Sequence, residues 1–111
     1  MDTREKILSP AQTAALAPAV LVLGYFDPLT ADHAERLAAL GHNLTVAVLD
    51  PPEPLLPARA RAELVAALRC VDHVIVGDPP ANIKAGRFID ATHADAAARQ
   101  ALIERIVARS A

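Results

Sequence analysis

The spacing of apolar residues changes along the chain, and each change marks an element. Ala19-Val20-Leu21-Val22-Leu23 is a continuous apolar run closed by Gly24, the pattern of a strand buried on both faces. Leu44 to Leu49 and Val71 to Val76 repeat it. Ala31 to Leu40 instead carries Ala34, Leu37 and Ala38 at helical spacing, with Asp32, Glu35 and Arg36 turned elsewhere and Gly41 as a terminal cap. Ala58 to Arg69 predicts a second amphipathic helix with Ala60, Leu64 and Leu68 aligned as its apolar stripe. Upstream, Ser9-Pro10-Ala11-Gln12 has the makings of a capping box with proline at the first helical position. Pro18 is expected to stop that helix after about two turns. Arg87 to Ile89 predicts a short fourth strand, and Thr92 with Asp95 predicts the start of a closing helix whose apolar face is Leu102, Ile103, Ile106 and Val107. Pro51, Pro52, Pro54 and Pro57 confine the stretch between the second strand and second helix to a loop.

Strands alternating with helices over short connections predict an α/β, Rossmann-like three-layer domain: a parallel sheet of about four strands with helices on both faces. The chain has 111 residues, one domain's worth, and no internal boundary or repeat divides residues 1–111. It is 53% hydrophobic, too apolar for a disordered tail, yet its apolar stretches are too short to span a bilayer. A net charge of -2 and three aromatics argue against nucleic acid as the main partner. A single cysteine, Cys70, cannot form an internal disulfide and is expected to pack in the core. With no signal peptide visible, a cytoplasmic location is expected. His42, His73, His93 and Cys70 show no metal-ligand spacing, so no metal site is expected.

In an open parallel sheet, ligands bind beyond the carboxyl ends of the strands, where strand order reverses. The loop after the first strand, Gly24-Tyr25-Phe26-Asp27-Pro28-Leu29-Thr30-Ala31-Asp32-His33, holds two aromatics, two carboxylates and a histidine, and runs into a helix N-terminus that favours anions. This segment resembles the G-x-F-D-x-x-H-x-G-H signature of the cytidylyltransferase-like nucleotidyltransferases, including the nucleotidyltransferase domain of ADP-heptose synthase and glycerol-phosphate cytidylyltransferase. Lys6 to Ser9, Arg61 to Asp72 and Leu102 to Ile106 are similar to further family segments in the same order. The resemblance implies transfer of a nucleotidyl group from CTP or ATP, with Mg2+, to a phosphorylated acceptor. It implies nucleotide contacts from Gly24, Tyr25, Phe26, Asp27, Thr30 and His33, with His33 catalytic, and assembly as a homodimer.

The chain departs from the signature at two positions. Thr30 replaces its first histidine, and loss of one charged donor typically costs ~10²–10³ in rate. Asp32 replaces its glycine, and two unit charges about 4 Å apart repel by roughly 4 kcal/mol at an effective dielectric near 20. Arg99 and Gln100 stand where the family has small hydroxyl residues, and Leu49-Asp50-Pro51-Pro52 lacks the family's cations. Each residue also has a plain structural role. Thr30 is a good N-cap, and Asp32 suits the helix dipole and can pair with Arg36. His33 can pack under Leu37, and Asp27 can bond backbone in a turn. Arg59 and Arg61, beside Glu63, are expected on a solvated face, while nothing places Lys84 and Arg87 at the loop. Two readings therefore stand: a nucleotidyltransferase-like domain with impaired or lost turnover that keeps nucleotide binding, and a non-enzymatic dimerisation or partner-binding module on the same fold.

Overall fold

The computed structural model describes residues 2–92. A 3-10 turn (Thr3–Lys6) precedes helix α1 (Pro10–Ala14), strand β1 (Val20–Gly24), helix α2 (Ala31–Ala39), strand β2 (Leu44–Val48), helix α3 (Ala58–Ala66), strand β3 (Val71–Val76) and strand β4 (Arg87–Asp90). All four strands run parallel in the order β3-β2-β1-β4. The fold is therefore α/β and Rossmann-like, with its order reversing at β1. The expected closing helix, Arg99 and Gln100 lie outside the described residues.

Both steps from β1 to β2 and β2 to β3 move the same way across the sheet, and a uniform crossover hand then puts both connecting helices on one face. Accordingly Leu37 of α2 and Ala62, Val65 and Ala66 of α3 pack in one cluster with Val22, Val46, Val48 and Val74. The alternate strand positions Leu21, Ala47 and Ile75 face the other way, covered by Leu16 just beyond α1 and by Ile83 and Ala85 of the return connection. That connection delivers β4 to the free side of β1 through Gly86. A Cβ there would stand 2.8 Å from the Ala19 carbonyl oxygen, closer than packed atoms allow, so glycine permits the docking. At the end of α2, Gly41 takes φ 118°, the cap that only glycine adopts readily.

Two helices depart from the expected pattern. α1 has its capping box, with Ser9 and Gln12 bonded reciprocally, but ends at Ala14 rather than running to Pro18. A residue before proline is pushed out of the helical region, so the chain unwinds upstream. α3 ends at Ala66 and turns a different face inward: Arg61, Ala62, Val65 and Ala66 are buried, whereas Leu64 is exposed. Ala60, Leu64 and Leu68 were the expected inward stripe. In so alanine-rich a helix several faces are apolar enough to pack, and contacts choose among them. Cys70 is a buried free thiol. No helix among the described residues is long and apolar enough to cross a membrane.

Candidate functional site

β1 emerges at the reversal point, and its carboxyl end opens directly into the loop that the sequence singles out. Neighbouring strands frame it: the Leu49 N–H donates to the Gly24 carbonyl at 2.9 Å, and the Ala91 N–H to the Leu23 carbonyl at 2.8 Å. Phe26 takes φ 48°, a left-handed conformation costly for a bulky residue. The turn it makes lets the Phe26 ring sink into the core, edge-on to the His33 ring with centroids 5.5 Å apart. The Asp27–Pro28 bond is cis. Asp27 is buried, and its carboxylate accepts the N–H groups of Leu55 at 2.7 Å and Leu56 at 2.8 Å. The expected backbone role is there, but it joins the loop to the proline-rich segment rather than shaping a local turn.

Thr30 caps α2, as its side chain suggests. Its hydroxyl accepts the His33 N–H at 3.3 Å, while His33 Nδ1 accepts the Thr30 N–H at 3.0 Å. This is a capping box with histidine in place of the usual glutamate or glutamine. The His33 ring is thereby held in the cap through Nδ1, and the residue is only 5% exposed. Asp32, one residue earlier, turns outward and pairs with Arg36 at 3.2 Å, its side chain 73% exposed.

Arg61 corrects the sequence reading. Far from lying on a solvated face, it is 0% exposed. Its Nε donates to the Leu56 carbonyl at 3.0 Å, and its Nη1 to the carbonyls of Tyr25 at 3.0 Å and Leu49 at 2.7 Å. Nη2 binds the carboxylate of Asp50. One guanidinium thus gathers the ends of β1 and β2 and the loop leading into α3. The sequence held a signal for this: four prolines in residues 51–57 withhold four backbone donors where chain carbonyls converge. Arg59, by contrast, lies on the surface with Glu63, as expected. Lys84 lines a separate cavity near Thr13 and Leu16. Arg87 pairs with Val20 at the amino end of the sheet, opposite the loop.

Between β1, β4 and α2 lies a cavity of about 360 Å³, lined by Val22, Phe26, Leu37 and Ile89 with His33, Arg36 and Asp90 among its polar members. That volume lies in the range of small-molecule sites. Gly24, Tyr25, Phe26, Asp27, Thr30 and His33 thus share one loop, but unequally. Gly24, Phe26, Asp27 and His33 are buried in holding the loop's shape, while Tyr25 is half-buried and Thr30 exposed. Among the described residues, no group of three or more His, Cys, Asp or Glu side chains comes together to hold a metal ion.

Fold and loop together define an α/β domain of Rossmann-like type whose loop of interest stands at the switch point. The chain is similar to FAD synthase of Thermococcus kodakarensis (strain ATCC BAA-918 / JCM 12380 / KOD1), with 38% identity over 71 residues. The match takes in 54% of this chain and 48% of that protein, so the chain spans about half of its relative's length. No family model and no solved structure matches the chain.

Proposed function

We propose that this chain is a nucleotidyltransferase-like domain with impaired turnover, which keeps a nucleotide-binding mouth at the loop 24–33. The similarity to a FAD synthase supports the nucleotidyltransferase side, since joining FMN to an adenylyl group is nucleotidyl transfer. In that reaction an acceptor phosphate oxygen attacks the α-phosphorus of a nucleoside triphosphate and pyrophosphate leaves. Charged donors must meet the oxygens of the transferring phosphate. The observation that carries the impairment is the Thr30–His33 capping box: a buried imidazole whose Nδ1 is already engaged with Thr30 is poorly presented to a phosphate. Arg61 is likewise fully engaged by three carbonyls and Asp50. On this reading Tyr25 and Thr30 meet the nucleotide, while Gly24, Phe26, Asp27 and His33 position the loop. Mg2+ would enter with the triphosphate and screen its charge.

Calorimetry with MgATP and MgCTP up to millimolar concentration is expected to register binding of at least one. Pyrophosphate release with FMN as acceptor should stay at background. Absence of heat with both nucleotides removes the binding claim, and turnover at ordinary enzymatic rates removes the impairment. Thr30→His with Asp32→Gly, which restores the signature and frees Arg36, should raise affinity. A second reading, a non-enzymatic dimerisation or partner-binding module, is favoured by the large apolar side chains Leu55 and Leu64, which stand exposed just before and on α3.

A further inference from the structure

The edges of the Arg61 guanidinium are bonded in two different ways. Nε and Nη1 donate to the carbonyls of Leu56, Tyr25 and Leu49, backbone groups that cannot leave without moving the loop or the chain beyond β2. Nη2 instead meets the carboxylate of Asp50, just past the end of β2. That side chain is 67% exposed although Arg61 itself is 0% exposed. Three carbonyls therefore fix the guanidinium whether or not Asp50 stays. The carboxylate, already largely in water, loses little by swinging away. The group that Nη2 holds is an anion, and it sits beyond the carboxyl ends of β1 and β2, where an open parallel sheet receives ligands. The same guanidinium grips Tyr25 of the loop 24–33.

We propose that the Nη2 edge of Arg61 is a subsite for a phosphoryl group, which the Asp50 carboxylate occupies until a ligand displaces it. The inference deepens the nucleotide-binding reading and rests on it only for the source of the phosphate, the nucleotide or its acceptor. Carboxylate and phosphate are recognised by the same planar fork of donors, so one can replace the other on Nη2 without Arg61 moving. A phosphoryl group brings more negative charge and more acceptor oxygens than a carboxylate. A guanidinium already withdrawn from water gives up little solvation to meet it, and the attraction is stronger there than at the surface. Asp50, tethered to the chain, competes for the edge at a high effective concentration. The subsite is therefore weak in the native chain and strong once the carboxylate is removed. An anion on Nη2 also supplies the counter-charge that a buried cation lacks without Asp50, so it must return stability that Asp50→Ala loses.

The test is calorimetry and urea denaturation of the full chain, wild type and Asp50→Ala, with pyrophosphate set against sodium chloride at equal ionic strength so that screening cancels. With the competing carboxylate gone, Asp50→Ala should bind pyrophosphate about tenfold or more tighter than wild type. A ligand that binds only the folded chain stabilises it, so pyrophosphate at about 10 mM should return at least half of the urea midpoint that Asp50→Ala loses. Asp50→Asn, which keeps the size and drops the charge, is the second variant and should gain affinity in the same direction. Bound pyrophosphate should shift the guanidinium nitrogen signals of Arg61 in a nitrogen-15 spectrum and leave those of Arg59 in place. MgATP and FMN, titrated separately, identify the source: the one that gains on Asp50→Ala brings the phosphate. Equal pyrophosphate affinity in wild type and both variants, or a gain with the Arg61 signals unmoved, overturns the inference. MgATP binding with no gain for any of these ligands removes the subsite and leaves the nucleotide reading standing. A pyrophosphate gain with no heat from MgATP or FMN keeps the subsite and removes the nucleotide reading.

Discussion

Replacing Arg61 by methionine tests what holds the mouth of this domain together. The two residues have comparable unbranched reach, so the packing volume under α3 is largely kept. Three carbonyls, those of Tyr25, Leu49 and Leu56, lose their donor, and each buried acceptor left unmet costs about 1–3 kcal/mol. Returning the guanidinium to water offsets part of that sum, so the net cost is about 3–5 kcal/mol, the usual range for breaking a buried charged network. The Asp50 side chain is 67% exposed while Arg61 is 0% exposed. Asp50→Ala leaves that buried guanidinium without its counter-charge but still bonded to three carbonyls, so it should cost about 1–3 kcal/mol, less than Arg61→Met. Arg61→Lys should fall between, because one compact ammonium cannot match a planar fork spread over three carbonyls. Urea denaturation followed by far-ultraviolet circular dichroism measures all three. With an m-value of about 1.5 kcal/mol/M for a chain of this size, Arg61→Met should lower the midpoint by about 2 M or more. If Asp50→Ala is as damaging as Arg61→Met, the stabilisation comes from the ion pair and the reasoning is wrong. An Arg61→Met midpoint near that of wild type would refute it outright.

The remaining predictions concern the loop itself. Asp27→Asn turns one accepting oxygen into a donor facing the Leu55 or Leu56 N–H, and should cost about 2 kcal/mol in the same urea assay. Amide exchange at Leu55 and Leu56 should accelerate more than elsewhere. Thr30→Ala removes the α2 cap and should cost about 1 kcal/mol, whereas Asp32→Ala, losing only an exposed pair, should cost less than about 0.5 kcal/mol.

The elements themselves were legible because strands and helices announce their own period. β3 spans the expected Val71–Val76, and β1, β2 and β4 differ from expectation by a residue. Thr30, Asp32 and Asp27 were legible in kind because capping, pairing at four-residue spacing and carboxylate-to-backbone bonding are local chemistry. The failures are non-local. Nothing in a helix reading Ala-Arg-Ala-Arg-Ala-Glu tells which arginine goes under the sheet edge. Arg59 and Arg61 differ by about 200° around the axis, and only the carbonyls of Tyr25 and Leu49 settle which one is drawn in. The inward face of α3 went with it, since Arg61, Ala62, Val65 and Ala66 turn inward together and leave Leu64 exposed. The partners of Asp27 lie 28 and 29 residues on, beyond the reach of any turn rule.

Thr30 and Asp32 do not weigh equally against phosphate binding. On the sequence alone, Asp32 looks the stronger obstacle, a carboxylate in place of a bare backbone. In the fold it points outward at 73% exposure and is met by Arg36, so solvent and a neighbouring cation reduce its repulsion well below the roughly 4 kcal/mol expected at 4 Å and a dielectric near 20. Thr30 acts through another residue. Its hydroxyl caps the His33 backbone N–H and lies 3.0 Å from His33 Nδ1, adding to the backbone N–H that any residue here would offer that nitrogen, and the histidine sits in the helix cap, buried against Phe26. On the proposed function, then, position 30 lacks a ring for phosphate and its hydroxyl adds to the contacts that engage the ring at position 33. On this reading Asp32→Gly alone should change nucleotide affinity little, and Thr30→His alone should account for most of the double variant's gain. Calorimetry of the two single variants beside the double one decides it, and a gain that follows Asp32→Gly instead would return the weight to the carboxylate.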